Sequence, residues 1–461
     1  MALIAHYPLN GDTKDYSGYG NDGVNIGAVV SNTGKIGGCY KFDGISSGVN
    51  IPSKNYSGME VYSMTAWVKP LGQHKNYNGV VISSGNWNVS AWNFGLSQDN
   101  SKIDVASHSY NRYLDYPVPV GEWTHIVCVA ENNVTKVYVN GNYVGQVNAT
   151  SKLTSNAANT NIGKETYGSG YFAFNGELND IRIYDHALSD KEVKELAKAK
   201  VLHYKFDEQD LTTKIVKDCS GFRNDGSVTA ATAPIWSEDS PVGRGSMEFS
   251  GAKFITLPNM LGSDEQITVC AWFKTNGLGG GGYHIIMGGT EVELDVTSAG
   301  NARFGLNVNN ARHVHNYSSG LADGKYHHIC GVYDGTVKGV YVDGVLVGSF
   351  PVVGKIKNNI TRRVGVFGSA TNYHANGNIS DVRIYATALS PEDILELYQT
   401  RASVDNEGNL FAQEIDEITG TSKEVDSKGI ARFKEFNEVD GENKMSIKND
   451  GVVYVNEIME A

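Results

Sequence analysis

The chain has 461 residues, which is too long for one ordinary core and long enough for two or three domains. Its 53 glycines and 25 tyrosines are typical of many short strands joined by tight turns. The formal net charge of −12 argues against nucleic acid as a partner, and no apolar run approaches the ~20 residues that a membrane span requires.

The N-terminus leads directly into the first predicted strand. It lacks the basic segment and apolar stretch of a secretory signal, so we expect synthesis in a bacterial cytoplasm. The five cysteines show no metal-type spacing, and Cys39 and Cys219 have no cysteine at the matching position of the repeat described next. We interpret both as buried reduced thiols in a chain without a disulfide framework.

The main feature of the sequence is an internal repeat at an offset of about 203 residues. Seven motifs return in the same order, with small insertions between them. They begin at His6 and His203, Asp15 and Asp218, Lys41 and Glu248, Ala66 and Ala271, Glu122 and Lys325, Val137 and Val340, and Asn179 and Ser380. A unit of this length is too long for a solenoid repeat, so the pattern indicates a duplicated domain.

Strand signals dominate each copy. Alternating apolar residues surround an Asn-Gly turn at Gly141 and an Asp-Gly turn at Gly344, which predicts a hairpin in each copy. Two short helices are predicted, from Glu192 to Lys200 behind a capping box at Ser189, and from Pro391 to Gln399 behind Ser390.

These elements predict an all-β fold of two tandem jelly-roll sandwiches, each closed by a short helix, followed by a small repetitive β segment. We place the domains at 1–199, 200–400 and 401–461.

The ordered motifs resemble those of the concanavalin A-like and laminin-G-like jelly-roll family. The series is Asp-x-Ser-Gly-x-x-Asn-Asp-Gly, Phe-x-Gly, Ala-Trp-x-Lys, Trp/Tyr-x-His-Ile, Val-Tyr-Val-Asn/Asp-Gly, and Asp-Ile/Val-Arg-Ile-Tyr followed by Ala-Leu-Ser. It occurs twice and covers most of the first 400 residues. The resemblance is specific for fold but not for function, because such sandwiches serve as lectins, glycanases and spacers.

The resemblance also implies a structural Ca²⁺ site between an acidic loop and the last strand of each copy. The residues concerned offer the oxygen ligands that Ca²⁺ prefers. They are Asp15, Asn21, Asp22 and Asp180 in the first copy, and Asp218, Asn224, Asp225 and Asp381 in the second. The alternative is that these side chains stabilise turns by hydrogen bonds.

A glycan site needs aromatic rings that stack on sugars, with polar groups that bind hydroxyls. Loops that differ between the copies supply such residues, as binding loops on a shared fold would. The candidates are Trp87, Asn88, Trp92, Tyr110 and Arg112 in the first copy, and Tyr283, His284, His313, His315 and Tyr317 in the second. The alternative places Trp87 and Trp92 in the core and the other residues on the surface.

An enzyme is the less favoured interpretation. Glu291, Glu293 and Asp295 would lie on one face of a strand, as in jelly-roll glucanases. The order of the three acids differs from that of those enzymes, and the first copy has no acids near Asn86. His125 and His328 recur but precede apolar strand residues, so we expect them to be buried. We therefore predict no catalytic residues.

The last sixty residues contain a looser repeat of about 21 residues. Three glycines, three glutamates and three apolar residues align: Gly408, Gly429 and Gly451; Glu414, Glu435 and Glu457; and Ile415, Phe436 and Ile458. One such unit buries little surface and needs neighbours along the chain or from other chains. The segment resembles β repeats of bacteriophage fibres that trimerise or dock onto the particle. The alternative is an acidic, partly disordered tail.

Together these features favour a non-enzymatic phage virion surface protein, of the head fibre, tail fibre or decoration type, that adheres to host or environmental glycans. We expect a homotrimer that contacts other virion proteins through residues 401–461. A bacterial carbohydrate-binding protein and a spacer without ligand remain the alternatives.

Overall fold

A computed structural model describes residues 2–52, 54–75, 77–86, 90–105, 112–148, 152–165, 172–207, 214–258, 265–275, 277, 280–357, 362–368 and 370–399. Beyond residue 400 it describes the five strands 402–404, 410–413, 430–433, 446–447 and 453–454. The chain divides into two compact units between Val201 and Leu202, close to the predicted boundary at 199. The described strands beyond residue 400 are grouped with the second unit. Within the described ranges, no helix is long and apolar enough to cross a membrane.

The first unit contains fifteen strands and one helix among its described residues. They are β1 (Leu3–Tyr7), β2 (Val24–Ile26), β3 (Val29–Ser31), β4 (Cys39–Asp43), β5 (Gly48–Ile51), β6 (Tyr62–Pro70), β7 (Gly79–Asn86), β8 (Ser90–Leu96), β9 (Lys102–Asp104), β10 (Tyr113–Asp115), β11 (Thr124–Glu131), β12 (Val134–Val139), β13 (Asn142–Asn148), β14 (Thr160–Ile162), β15 (Asn175–Tyr184) and α1 (Asp190–Ala197). The first sheet has the order β13-β12-β11-β6-β15-β4-β3, with β1 beside β15. The second sheet has the order β10-β9-β8-β7-β14-β5-β2.

The second unit repeats this arrangement. Its elements are β16 (Lys200–Tyr204), β17 (Ile215–Val216), β18 (Gly226–Ser227), β19 (Ile235–Ser237), β20 (Ser246–Phe249), β21 (Ile255–Thr256), β22 (Ile267–Lys274), β23 (Tyr283–Gly288), β24 (Val292–Thr297), β25 (Asn301–Val308), β26 (Ala311–His313), β27 (Asn316–Ser318), β28 (Tyr326–Tyr333), β29 (Val337–Val342), β30 (Val345–Pro351), β31 (Arg363–Val364), β32 (Val366–Phe367), β33 (Ala370–His374), β34 (Gly377–Tyr385) and α2 (Pro391–Gln399). The first sheet is β19-β20-β34-β22-β28-β29-β30, with β16 beside β34. The second sheet is β17-β18-β21-β31-β23-β24-β25-β26, with β27 beside β25. The all-β prediction with two sandwiches is therefore confirmed.

After the sandwiches come β35 (Ala402–Val404), β36 (Leu410–Gln413), β37 (Ile430–Phe433), β38 (Ser446–Ile447) and β39 (Val453–Tyr454). The strands β35, β36 and β37 form an antiparallel sheet, and β38 pairs with β39.

Alternation along the strands separates a core face from an outer face in each sheet. On β8, Trp92, Phe94 and Leu96 belong to the core of the first unit, whereas Asn93 and Gly95 alternate with them on the outer face. In the second unit, Phe304 would be 2.3 Å from a Cβ added to Gly331 of the first sheet, so Phe304 faces the core.

The predicted hairpins and helices are present, with one change of bounds. Asn140 and Gly141 both have positive φ, +48° and +82°, as the turn between β12 and β13 requires. Helix α1 begins at Asp190, two residues earlier than predicted, because Ser189 itself is the N-cap and its hydroxyl accepts a hydrogen bond from the Glu192 amide. Lys198 forms the C-cap. The outer face of the first sheet packs under the helix in both units, through Val193 of α1 and Ile394 of α2.

The prediction of reduced cysteines was wrong in two respects. Cys270 of β22 lies directly opposite Cys330 of β28, and the two form a disulfide. Their sequence separation of 60 residues gave no indication of this contact, which only the strand pairing creates. Cys39 is buried, as expected, whereas Cys219 is exposed.

Candidate functional site

The outer face of the second sheet carries buried polar side chains in both units. In the second unit, Leu294 pairs with the core residue Phe304, so the neighbouring residues Glu293 and Asp295 of β24 lie on the outer face. Asp295 is directly opposite Arg303 of β25. Both carboxylates are buried, and each requires a partner at this depth.

Arginine side chains bind both of these carboxylates. Arg303 Nε lies 2.7 Å from Asp295 Oδ1, and Arg303 Nη2 lies 2.7 Å from Glu293 Oε1 and 3.0 Å from Asp295 Oδ2. Arg312 of β26 donates from Nη2 to the other oxygen of Glu293. The side chain of Arg312 is 50 % exposed, whereas that of Glu293 is only 4 % exposed. One arginine therefore joins the two acids, and a second reaches the solvent.

Burial shapes the protonation of this cluster. It raises the pKa of Asp295 well above its ordinary value; the hydrogen bond from Arg303 lowers it, and the adjacent Glu293 carboxylate raises it further. Lys338 of β29 is buried and donates from Nζ to the carbonyls of Phe304 and His313, at 2.7 and 2.9 Å. Burial lowers the Lys338 pKa to about 8.

Aromatic rings border the charged residues. The guanidinium carbon of Arg303 is 4.1 Å from the ring centre of Tyr283, and that of Arg312 is 5.4 Å from the ring of Phe367. Tyr373 contacts Tyr283, with ring centres 5.9 Å apart, and also contacts Phe367 edge to face. Tyr373 is 41 % exposed, so this aromatic group reaches the surface beside Arg312.

The first unit has a related carboxylate on the same face. Asp104 of β9 is opposite Gly95, and it binds Arg112 Nε at 2.6 Å and Asn78 Nδ2 at 2.9 Å. Arg112 also donates to the Tyr113 hydroxyl at 2.9 Å. Burial raises the pKa of Asp104 to about 7, against the opposing influence of Arg112.

Neutral polar side chains extend this face of the first unit. Strand pairing places Asn50, Asn161, Ser83 and Asn93 in one row across β5, β14, β7 and β8. Asn50 Nδ2 donates to Asn161 Oδ1 at 2.9 Å, and Ser83 donates to the carbonyl of Lys164 at 3.1 Å. Amide and hydroxyl groups of this kind can donate to and accept from sugar hydroxyls.

An aromatic pair occupies a similar place in the first unit. The rings of Tyr77 and Phe172 stack with centres 5.2 Å apart, and Tyr77 is 55 % exposed. The backbone amide of Phe174 donates to the carbonyl of Gly163, and the amide of Ala375 donates to the carbonyl of Gly365 in the same way. Phe172 and Tyr373, each two residues earlier, are therefore equivalent. Each unit therefore has an aromatic pair with one exposed ring, Tyr77 or Tyr373, and a buried aspartate–arginine pair. In the first unit, Tyr77 directly precedes Asn78, which binds Asp104.

Of the predicted glycan-binding residues, Tyr283 and Arg112 lie at these sites. Trp87, Asn88 and Tyr110 fall outside the described residues. The prediction for Trp92 needs correction: its ring is fully buried in the core and its Nε1 donates to the carbonyl of Asn55 at 3.0 Å, so it offers no stacking surface.

The structure places the three histidines and Tyr317 away from these sites. His284 pairs with the core residue Val296 and is fully buried, and its ring lies between Gly277 and Asn376. His313 pairs with Leu306 and so faces the core side of the sheet. The ring of His315 stacks on Phe350, with centres 3.9 Å apart. Tyr317 pairs with the core residue Ala302, and its ring lies over Gly348 of the first sheet.

The sequence interpretation missed Tyr77, Phe172 and Tyr373 at the border, and Asp104 and Arg303 on the sheet. Of these residues, Arg303 could have been predicted from the alternation of apolar and polar residues in the sequence. It lies between apolar residues in Ala302 to Phe304, as an outer-face position in a half-buried strand does.

The predicted calcium ligands do not fit a cation in their observed arrangement. Asp15 accepts hydrogen bonds from the amides of His6, Ser17 and Asn21, at 2.9 to 3.1 Å. Asp22 accepts one from the Asp15 amide at 2.9 Å. Although burial raises the pKa of Asp15, these hydrogen bonds lower it below its ordinary value. In the second unit, Asp218, Asn224 and Asp225 make the corresponding contacts.

Each aspartate at the last strand already has a histidine and an arginine as partners. Asp180 accepts from His6 Nε2 at 2.8 Å and from Arg182 Nε at 2.9 Å, and Asp381 does the same with His203 and Arg383. These guanidinium groups would repel a bound Ca²⁺. Both acidic loops therefore match the alternative interpretation, in which their side chains stabilise turns.

Within the described part of the chain, one group of His, Cys, Asp or Glu side chains brings its ligand atoms within 4.8 Å of one another. It consists of Cys270, His328 and Cys330. The disulfide occupies both sulfurs, and His125 and His328 are buried in equivalent positions beside Trp67 and Trp272, as predicted.

Comparison with known families gives one match in each unit. Residues 43–194 and 249–395 both match the family described as the concanavalin A-like lectin/glucanases superfamily. Together the two regions cover more than half of the chain. No curated protein sequence matches the chain significantly.

Several solved structures share parts of the fold. Domain 4 of AbnA, an extracellular arabinanase of family GH43 from Geobacillus stearothermophilus solved with arabinotriose, is 25 % identical, with a TM-score of 0.35; the match covers 42 % of this chain and 98 % of that one. The binding domain of Paraclostridial Mosquitocidal Protein 1 is 11 % identical (TM-score 0.36, 45 % of this chain, 54 % of that one). The botulinum neurotoxin serotype D binding domain is 17 % identical (TM-score 0.35, 47 % and 60 %). Likenesses of this size say nothing about ligand or activity.

Proposed function

Because this chain belongs to the concanavalin A-like lectin/glucanases superfamily, we propose that it binds glycans on the outer face of the second sheet in each unit. The observation that carries this proposal is the repeated combination of an aromatic pair that has one exposed ring with a buried aspartate–arginine pair. Two independent ranges of sequence build it with different residues, Tyr77 and Phe172 in one unit and Tyr283 and Tyr373 in the other.

The chemistry of these residues suits a sugar. An exposed ring presents a flat apolar surface to the C–H groups of a pyranose, and fixed carboxylate, guanidinium and amide groups bind its hydroxyls. Arg303 holds Glu293 and Asp295 in place before any ligand arrives, which lowers the entropy cost of binding. Where α1 or α2 covers the outer face of the first sheet, that face cannot bind a sugar in this way.

We propose that binding is not followed by hydrolysis. A retaining glycosidase needs one carboxyl group to protonate the leaving oxygen and a second to attack the sugar. Arg303 bonds to both Glu293 and Asp295, and Arg312 takes the remaining oxygen of Glu293. Prolonged incubation with every bound glycan should therefore release no shorter product, as measured by mass spectrometry. Release that disappears in Glu293→Gln would establish an enzyme instead.

A glycan array tests binding. Full-length protein should bind a defined set of glycans, and Tyr77→Ala and Tyr373→Ala should each weaken a part of that binding about tenfold. Tyr143→Ala is the matched control, since Tyr143 is 53 % exposed but lies on β13 of the first sheet. A chain that binds no glycan would support the spacer interpretation. Equal losses in all three variants would place the site elsewhere.

We also propose that the chain is a phage virion surface protein whose residues 401–461 trimerise or dock onto the particle, so that it is displayed on the virion surface. This proposal is supported by the position of the strands in the 21-residue repeat. A strand begins within two residues after each repeated glycine: β36 after Gly408, β37 after Gly429 and β39 after Gly451. These strands have only two to four residues, so neighbouring chains would add the burial that they lack.

Light scattering distinguishes the arrangements. The full chain should have three times the monomer mass, and a chain that ends at Gln399 should have the monomer mass. Monomers in both cases would leave either a tail that docks on another protein or a free-standing bacterial carbohydrate-binding protein. A trimer in both cases would move the oligomer contact into the sandwiches.

A further inference from the structure

We propose that the second unit selects an anionic sugar whereas the first unit takes a neutral one; this inference rests on the proposed glycan binding. The outer face of the second sheet in the second unit presents the guanidinium groups of Arg303, Arg312 and Arg363 against the carboxylates of Glu293 and Asp295. A third carboxylate, Glu291, precedes β24 and interacts with a fourth arginine, Arg362, so the arginines still outnumber the acids by one. Excess positive charge at this place contrasts with the net charge of −12 of the whole chain.

Arg363 lies on this face because its neighbour Val364 is a core residue. Val364 pairs with Met287, and Arg363 pairs with Gly288. The Arg363 guanidinium carbon is 4.3 Å from the ring centre of Phe254, and within the described residues its buried Nε has no hydrogen-bond partner. Thus Arg363 contributes a positive charge that no carboxylate of the described face neutralises.

Arg312 is the arginine that a ligand can reach. Half of its side chain is exposed, and its one carboxylate partner, Glu293, is already bonded to Arg303. A shared carboxylate neutralises neither guanidinium fully. The planar fork of an exposed arginine suits the paired oxygens of a carboxylate or sulfate group. The adjacent rings of Phe367 and Tyr373 can hold the sugar that carries this group.

One further group increases the positive charge. Lys338 lies behind the sheet, with its ammonium group on the carbonyls of Phe304 and His313. The second unit therefore offers an anion a positive potential as well as donors.

Among its described residues, the first unit presents no exposed guanidinium group on this face. Its one arginine there, Arg112, is buried and pairs with Asp104. Lys102 pairs with Asp115 on the same face, and the Lys164 side chain lies over Gly48 of β5. Around this pair lie Asn78 and the neutral row that contains Asn93 and Asn161. These described residues offer an anion no exposed guanidinium fork, whereas amides serve the hydroxyls of an uncharged sugar well.

Three galactose-based probes distinguish the sources of negative charge: an oligogalacturonate with carboxylates, a carrageenan-derived oligosaccharide with sulfates, and a neutral galactan oligosaccharide of similar length. Calorimetry with the full chain should show binding of at least one anionic probe, which weakens as salt is added. Arg312→Gln should reduce that affinity about ten- to hundredfold. The probe that binds identifies the anionic group.

Arg244→Gln is the control, because Arg244 is an exposed arginine that precedes β20 of the first sheet, and it should leave the affinity unchanged. Arg363→Gln provides a second variant, with a loss expected in the same direction. Thermal unfolding of each variant verifies the fold. Affinity for the neutral probe alone, or equal affinity in Arg312→Gln and Arg244→Gln, would overturn the inference and leave the proposed glycan binding intact. Binding of none of the three probes would also overturn it, and the wider glycan array would decide the proposed function separately.

Discussion

His6 Nε2 lies 2.8 Å from Asp180 Oδ1, and Asp180 also binds Arg182, although the imidazole and the carboxylate are separated by 174 residues. The contact joins the first strand of the first unit to its last strand, β15. His203 and Asp381 repeat it at 2.7 Å in the second unit. Although burial alone would raise the pKa of Asp180, Arg182 and His6 lower it below its ordinary value.

Removal of this carboxylate should destabilise the first unit strongly. Asp180→Asn preserves size but leaves the Arg182 guanidinium buried without its counter-charge, so we expect a loss of about 3–5 kcal/mol in the free energy of unfolding. Asp115→Asn is the control, because the Asp115 side chain is 84 % exposed and its solvent-screened ion pair with Lys102 should contribute little to stability. Urea denaturation of both variants measures the difference. Similar losses would show that the buried pair has no special role.

Buried histidine should make the stability of the first unit fall in acid. Burial lowers the pKa of His125 to about 4, below the ~6.5 of an unfolded chain. Between these two pKa values the unfolded state binds a proton and the folded state does not. The free energy of unfolding should therefore decrease by up to ~3 kcal/mol as pH falls from about 6.5 to 4.

The variant His125→Gln isolates this contribution, because Asp104, whose pKa is raised to about 7, acts in the opposite direction over the same range. The free-energy difference between wild type and variant should shrink as pH decreases from 7 to 4.5, in denaturation curves at several pH values. A difference that stays constant would mean that His125 titrates alike in both states.

The disulfide should stabilise the second unit. Cys270→Ser with Cys330→Ser removes a cross-link over 60 residues, and we expect a loss of about 2–4 kcal/mol. Thiol titration of the unfolded, unreduced chain should detect Cys39, Cys128 and Cys219, and reduction should add two more thiols. Cys128→Ser is a control for the loss of a buried thiol without a cross-link. Five thiols before reduction would rule out the bond.

Calcium should have little effect on stability. The oxygens of Asp15 and Asp218 already accept several amide hydrogen bonds, so millimolar Ca²⁺ or its removal with EDTA should shift Tm by less than about 2 °C. Differential scanning calorimetry measures the shift. A Tm that rises steadily with Ca²⁺ concentration would show that the acidic loops rearrange to bind the ion.

The sequence was sufficient for the fold because repeated motifs and alternation report local geometry. The turn at Gly141 and the cap at Ser189 depend on a few adjacent residues, and both are present. The face of each strand was also readable where alternation is regular, as for Glu293 and Asp295.

The candidate site was harder to predict because strand pairing creates it. Tyr373 follows Tyr283 by 90 residues in the sequence, and only the arrangement of β33 beside β23 brings their rings together. Trp92 and His284 were selected for their residue type, but side chains of that type fill cores as readily as they line surfaces. Residue type alone could not tell these cases apart.

The shifted position of the aspartate has a consequence for engineering. Asp295 lies on β24 opposite Arg303 of β25, whereas Asp104 lies on β9 itself, at the position that is equivalent to Arg303, with Gly95 opposite. Exchange of a single one of these residues between the two units would therefore leave a buried charge without its partner. Chimeras of the two units should exchange β24, β25 and β26 with β8, β9 and β10 as an intact block, so that each aspartate is transferred together with its arginine partner.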